Sequence, residues 1–304
     1  MRKRRRMIAF YLFIAPWLLG FVLLWIIPLV VGFLMSLTNY DGLNLDRLTF
    51  VGLNNYVRAF QDVDVRFAFA RTLGWNLFNV PLWLIASFGL ALLMNRSIRA
   101  RGFWRTLVYL PSVIPPVGVA WIWKIILERN YGLLNGFISL FIPGSATLWL
   151  GAENALVSLS VISCWTGLGF GMVIFLAGLQ NIPPELDEAA RIDGAGAWGV
   201  FRHITVPLMS PIILFQLILG LINGFQAFAV PILMFGQGSM SATVPRSVYL
   251  YMVHTYQETF VSQRYGYGAA LLWLLFIVIL GITLVVFRTS RYWVYEETSP
   301  AEAV

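Results

Sequence analysis

Few residues in this sequence have the types and spacing that chemistry requires. The only lysines are Lys3 and Lys124, and neither sits in a G-x-x-x-x-G-K-[ST] loop, so the chain lacks that cradle for ATP phosphates. His203 and His254 fall on opposite membrane sides in the topology derived below and cannot share a metal. Glu128 and Glu153 fall at span edges, where surface carboxylates are expected rather than an acid–base pair. No catalytic residue and no metal site is assigned. What stands out instead is residues 183–211, PPELDEAARIDGAGAWGVFRHITVPLMSP, which mix acids, bases, glycines and apolar side chains between two long hydrophobic segments.

The local signals in that stretch are specific. Pro183-Pro184 starts a helix, and Glu185, Asp187 and Glu188 crowd its first turn, where the helix dipole favours negative charge. Leu186, Ala189 and Ala190 share a face at helical spacing. Gly194 and Gly196 interrupt the helix, and a second amphipathic turn carries Trp198, Phe201 and Ile204 before Pro207. Read by periodicity alone, the stretch is a solvated loop between two membrane helices.

The elements that must position this loop are set by composition. The sequence has 304 residues, 59% hydrophobic and 12% charged, with mean hydropathy +0.76. A soluble domain has about a quarter of its residues charged, so the fold class expected is an all-α polytopic membrane protein. The net charge of +7 does not point to nucleic acid, because the basic residues cluster at span edges. Cys164 lies in an apolar run and is expected to pack.

Six uncharged or nearly uncharged segments are long enough to cross a hydrocarbon core of about 30 Å at about 1.5 Å per residue. They are approximately 7–37, 73–94, 106–127, 155–179, 207–235 and 266–287. The first follows Arg2-Lys3-Arg4-Arg5-Arg6; a secretory leader would be shorter and end in a small-residue cleavage site. Pro16 and Pro28 are expected to kink it. Residues 54–70 could form an amphipathic helix near the membrane surface, and residues 296–304 an acidic, disordered tail.

Orientation follows from the basic flanks. The five N-terminal basic residues, Arg96, Arg99, Arg101, Arg105, Arg191, Arg202, Arg288 and Arg291 make thirteen of the twenty-one Lys and Arg on one side. The other side carries Asp41, Asp46, Asp62, Asp64, Glu128, Glu153 and Glu258. Both termini and the 183–211 loop are therefore expected in the cytoplasm, with the chain multi-pass in the membrane.

The order Glu188-Ala189-Ala190, Gly194, Ile204, Pro207 resembles the EAA loop of membrane subunits of bacterial ABC importers: E-A-A, three residues, G, nine residues, I-x-L-P. Val206 replaces the usual leucine. Phe13–Pro28 (FIAPWLLGFVLLWIIP), Phe50–Tyr56 (FVGLNNY), Trp104–Pro111 (WRTLVYLP), Tyr131–Asn135 (YGLLN) and Arg264–Ala269 (RYGYGA) are similar to the carbohydrate-uptake, maltose-transporter-like branch. The extra N-terminal spans and large external domain of the maltose-type subunit have no counterpart here.

The resemblance implies a single transmembrane domain over 1–304, with a core of about 71–288 and a coupling loop at 183–207. It implies an importer permease in which Glu188, Ala189, Ala190, Asp193, Gly194, Ile204 and Pro207 engage a separate ATPase. ATP and magnesium then belong to that ATPase, and no cofactor is expected on this chain. The partners implied are a second permease, two ATP-binding subunits, an external solute-binding protein, a sugar and lipid, with no nucleic acid. Amides and aromatics on the fourth and fifth spans suit hydroxyls and the C–H faces of a sugar ring, and Trp165, Asn223 and Gln226 are the pathway candidates; the same residues could simply bond and pack between helices. Glycerol phosphate or another small solute remains a rival substrate. A secondary transporter and a membrane-embedded enzyme remain rival classes, disfavoured by the scarcity of ionisable residues in the spans.

Overall fold

The computed structural model describes residues 2–43, 46, 48–144, 146–236 and 244–295. The expected tail at 296–304 lies outside the described residues, as does part of the loop after Gly236. The described residues are mostly helical, and they contain no β-strand, only an isolated antiparallel bridge between Thr38 and Phe50.

In chain order the helices are α1 (Arg2–Phe21), α2 (Ile27–Ser36), α3 (Asn54–Gln61), α4 (Val63–Asn95), α5 (Arg101–Tyr109), α6 (Pro116–Ile126) and α7 (Leu133–Ser139). Then come α8 (Ala155–Gln180), α9 (Pro184–Ile192), α10 (Ala197–Val200), α11 (Val206–Phe225), α12 (Ala229–Phe235), α13 (Tyr251–Tyr256) and α14 (Tyr265–Ser290). Five helical stretches are long and apolar enough to cross a membrane: Phe10–Ser36, Val63–Asn95, Ala155–Gln180, Ala197–Phe225 and Tyr265–Ser290. A sixth arises if the bent pair α5–α6 counts as one span.

Two of the expected spans differ from this at prolines or glycines. The 106–127 segment is not one straight helix: its limbs meet at 103°. Pro115 and Pro116 remove two amide donors, and the residue before a proline is pushed out of the helical region; Ile114 accordingly sits at φ −72, ψ 125. The 207–235 segment ends its helix at Phe225, and Phe228 (φ −145) breaks the path before α12. At its other end the span begins ten residues earlier than expected, at Ala197.

Two prolines, Pro28 in the span Phe10–Ser36 and Pro207 in the span Ala197–Phe225, are absorbed by π-turns, while Pro16 and Pro211 lie inside α-helix. Val22–Ile26 precedes Pro28, and Phe201–Thr205 precedes Pro207. A proline has no N–H for the i−4 carbonyl and its ring crowds that carbonyl. Widening the preceding turn relieves the clash, and the amides of Ile27 and Val206 bond instead to the carbonyls of Val22 and Phe201.

The chain forms two compact units. One comprises the chain up to Val65 with Thr255–Ile277; the other comprises Arg66–His254 with the chain from Val278 on. In the second unit, Ala91 and Met94 of α4, Met172, Phe175, Leu176 and Leu179 of α8, and Met209 of α11 form a buried core. In the same unit α12 packs on α6. Gln216 of α11 is fully buried and its Nε2 donates to the Gly171 carbonyl at 3.1 Å, one of the interhelical hydrogen bonds that hold membrane bundles. Cys164 is buried, as expected.

Candidate functional site

Two features of the second unit are built for more than packing: an exposed helix–turn–helix at 183–205, and a cavity between α4, α8 and α11.

The turn at the end of α9 is a glycine-dependent helix stop. Pro183 (φ −60, ψ 127) precedes the helix, Pro184 occupies its first turn, and Glu185 and Asp187 follow. At the other end Gly194 has φ +84, its amide bonds to the Arg191 carbonyl at 3.1 Å, and the Ala195 amide bonds to the Ala190 carbonyl at 2.9 Å. That pair of bonds is the Schellman arrangement, and it requires a left-handed residue where only glycine is unstrained. Gly196 is extended and starts α10.

No residue of α9 is buried. Glu188, Ala189, Asp193 and Gly194 are exposed and Ala190 is half-buried, while Leu186, Ile192 and Trp198 present large apolar surfaces. Asp187 and Arg191 form an exposed i,i+4 pair at 3.4 Å, a contact of little energetic weight. The chain is anchored beyond this point: Val200 is buried, Trp198 stacks on Phe201 at 5.3 Å, and Phe201 lies 6.1 Å from Phe88 of α4. Ile204 and Pro207 are half-buried at the root of α11. The seven expected coupling positions thus divide into five on the α9 turn and two rooted in the bundle. Behind them, Gln180 at the end of α8 accepts from Arg101 (3.2 Å) and Arg105 (3.1 Å) of α5 when its amide is oriented toward them.

The cavity holds about 210 Å³ and is lined by Trp75, Asn79 and Trp83 of α4, Thr166 and Phe170 of α8, and Asn223 of α11, among others. None of its lining residues is ionisable. Asn79 is 8% exposed, and its Oδ1 has no hydrogen-bond partner; neither has the buried Nε1 of Trp83. Buried polar atoms are almost always satisfied, so an unpaired acceptor and donor one helical turn apart on a cavity wall are positions where a ligand or water would bond. The Trp83 indole fits there because its neighbours are glycines: a Cβ at Gly167 would stand 2.7 Å from Nε1, and one at Gly171 2.9 Å from Cζ2.

Of the pathway candidates named from sequence, Asn223 lines this cavity. Trp165 packs edge-on against Trp123 at 5.5 Å, and Gln226 is an exposed residue capping α11; neither lines the cavity. Asn79, Trp83 and Trp75 are not among those candidates. Their i, i+4, i+8 spacing along 63–95 was a readable signal, but that helix has polar and aromatic residues on every face. A second cavity of about 350 Å³ opens two turns toward Val63, lined by Phe67, Arg71, Trp75 and Leu156. Trp75 belongs to both walls, so one face of α4 runs past both spaces.

Such a bundle, with spans crossing a membrane, an uncharged cavity and an exposed amphipathic loop, is the construction of a polytopic transport protein. Residues 83–295 match the binding-protein-dependent transport system inner membrane component family, and the chain belongs to it. The chain is 33% identical, over 97% of its length and 94% of the relative's, to a probable ABC transporter permease protein, YesP, of Bacillus subtilis. It is 31% identical, over 93% of each chain, to the trehalose/maltose transport system permease protein MalF of Thermococcus litoralis. Its fold is similar, at TM-score 0.82 and 23% identity over 96% of this chain and 98% of the other, to a chain in the crystal structure of a bacterial ABC transporter that imports the acidic polysaccharide alginate.

Proposed function

We propose that this chain is the permease subunit of an ATP-driven importer for a carbohydrate, and that residues 183–207 are its coupling element. The observation that carries the proposal is one continuous helical span, Ala197–Phe225, with the exposed loop at its foot and Asn223 on the cavity wall near its head. A displacement of Trp198 and the α9 helix is transmitted by that span to the cavity. Glu188, Ala189, Ala190, Asp193 and Gly194 form the face offered to an ATPase; Ile204 and Pro207 root the loop in the bundle.

In this reading six spans place both termini in the cytoplasm, the bent α5–α6 pair being the third, and the chain from 1 to 304 is a single transmembrane domain of the cell inner membrane. A second permease completes the pathway, two ATP-binding subunits bind ATP and magnesium below, and an external solute-binding protein delivers substrate. The cavity is smaller than the roughly 300–1,000 Å³ of most ligand sites, which suits one wall of a site shared with a second permease.

The lining supports this substrate class. Amides, an indole N–H and aromatic faces suit a neutral saccharide, and the absence of a charged lining residue disfavours glycerol phosphate. Lys124, the one Lys, Arg, Asp or Glu of the expected spans, lies 5.7 Å from the Trp121 ring and lines a small recess rather than the cavity. Nothing in the cavity could relay protons, which disfavours a secondary transporter.

The experiment is to purify the complex through a tag on this chain, identify the companion chains, and reconstitute it with the binding protein. ATP-dependent uptake of oligosaccharides is expected. Accumulation by this chain alone under an imposed proton gradient would replace this reading with that of a secondary transporter.

A further inference from the structure

α3 is a short helix with three distinct faces. Its inner face is tied to the end of the first span: Asn55 Nδ2 donates to the carbonyls of Ser36 and Thr38, both at 2.8 Å, and the Tyr56 hydroxyl pairs with Ser36 Oγ at 2.6 Å. Ala59 on the same side is 1% exposed. The loop between is clasped by the Val51 amide on the Leu37 carbonyl at 2.8 Å and the Asn39 amide on the Thr49 carbonyl at 3.2 Å.

The opposite face is apolar and bare. Leu53, Val57 and Phe60 are 66%, 51% and 69% exposed, and their i, i+4, i+7 spacing puts them in one stripe. Asn54, Arg58 and Gln61, all exposed, form a third, polar face roughly a quarter turn away.

What covers the stripe follows from its level. α2 is the last segment of a span of which nothing in the apolar window is buried, and the exposed stripe of α3 follows it in the chain. The chain turns polar at Thr38, Asn39 and Asp41, which sets the water boundary at the height where Asn55 and Tyr56 grip Ser36 and Thr38. A helix held at that height, with one side against the protein, one apolar side and one polar side, has the distribution of an interfacial amphipathic helix.

We propose that α3 lies flat in the lipid headgroup–acyl boundary on the side where α2 ends, Leu53, Val57 and Phe60 entering the acyl region. It acts as an anchor that sets the depth of two spans together. At its C-terminal end Asp62 caps the start of α4, its Oδ1 accepting from the Asp64 amide at 2.9 Å, while Oδ2 accepts from the Tyr267 hydroxyl in the first turns of α14 at 3.0 Å. The Arg58 guanidinium lies 4.4 Å over the Tyr267 ring. The first and last spans are thereby pinned to one lipid-held bracket.

The test uses the full chain in phosphatidylethanolamine–phosphatidylglycerol vesicles, with a nitroxide on Val57→Cys, Phe60→Cys or Gln61→Cys. Cys164 is the single native cysteine and is buried, so the treated wild-type chain reports the background. Labels at 57 and 60 should collide more with oxygen than with a water-soluble nickel chelate, and the label at 61 should show the reverse. Nickel preference at all three sites would place the stripe in water, and shielding of 57 and 60 from both reagents would assign it to a protein partner; either result overturns the proposal. As a second readout, Phe60→Asp should raise nickel accessibility at 57, while Phe60→Leu should leave it unchanged.

Discussion

Trp198 and Asn223 stand at opposite ends of a single helical span, one exposed beside the α9 turn and the other on the cavity wall. Twenty-five residues separate them (223 − 198), roughly 38 Å at the α-helical rise. The π-turn before Pro207 keeps that span continuous where a proline would otherwise interrupt it. A rod of this kind can convert a push on its foot into a rearrangement at its head.

At the foot, Gly194→Val should impair coupling while leaving the chain in the membrane. A β-branched residue at φ +84 costs about 1–2 kcal/mol, and the Schellman turn is expected to open. Glu188→Ala should act in the same direction but less severely, since it removes one exposed group and leaves the helix intact. Co-purified ATPase and hydrolysis stimulated by loaded binding protein are the measurements; normal values in both variants would end the coupling assignment.

At the head, Asn223→Leu and Asn79→Leu should each weaken substrate handling. Losing a hydrogen bond of about 1–1.5 kcal/mol corresponds to roughly a tenfold rise in the transport KM, with the assembled complex unchanged. Gln226→Leu, outside the cavity lining, should change the KM less than twofold. Equal effects at 223 and 226 would mean that the cavity wall is not what the substrate meets.

Gln216→Leu should separate packing from transport. The substitution removes the bond to Gly171, and the chain's melting temperature in detergent should fall, by a stability change of about 1 kcal/mol. The residue does not line the cavity, so the ranking of competing sugars should be unaltered. A changed ranking would show that the α8–α11 contact shapes the site.

The chain purified alone should show no ATP hydrolysis, since neither lysine lies in a phosphate-binding loop. Adding the second permease, the ATPase and the binding protein should restore uptake. Hydrolysis by the single chain, surviving removal of contaminating ATPases, would refute this.

Much of the architecture was legible in the sequence because the bilayer makes demands that composition reveals directly. Every backbone amide within the hydrocarbon must be satisfied internally, so long apolar runs become helices with little choice. The short helix from Pro184, the glycine turn at 194 and the second turn at Trp198 were readable for a related reason: capping, dipole and left-handed preferences act within a few residues.

What tertiary structure decided involves partners far apart in the chain. The 103° bend at Ile114–Pro115 and the end of α11 at Phe225 depend on how prolines and glycines are used, not only on their presence. Asn79, Trp83 and Asn223 share a cavity because three helices pack around glycines at 167, 171 and 220. Trp165 and Gln226, equally polar or aromatic on paper, point elsewhere. Helices that are apolar all round carry too weak a moment to indicate which face meets which neighbour. Short-range preferences therefore wrote the spans and the loop into the sequence, and only the packing of one helix against another selected the residues that face the cavity.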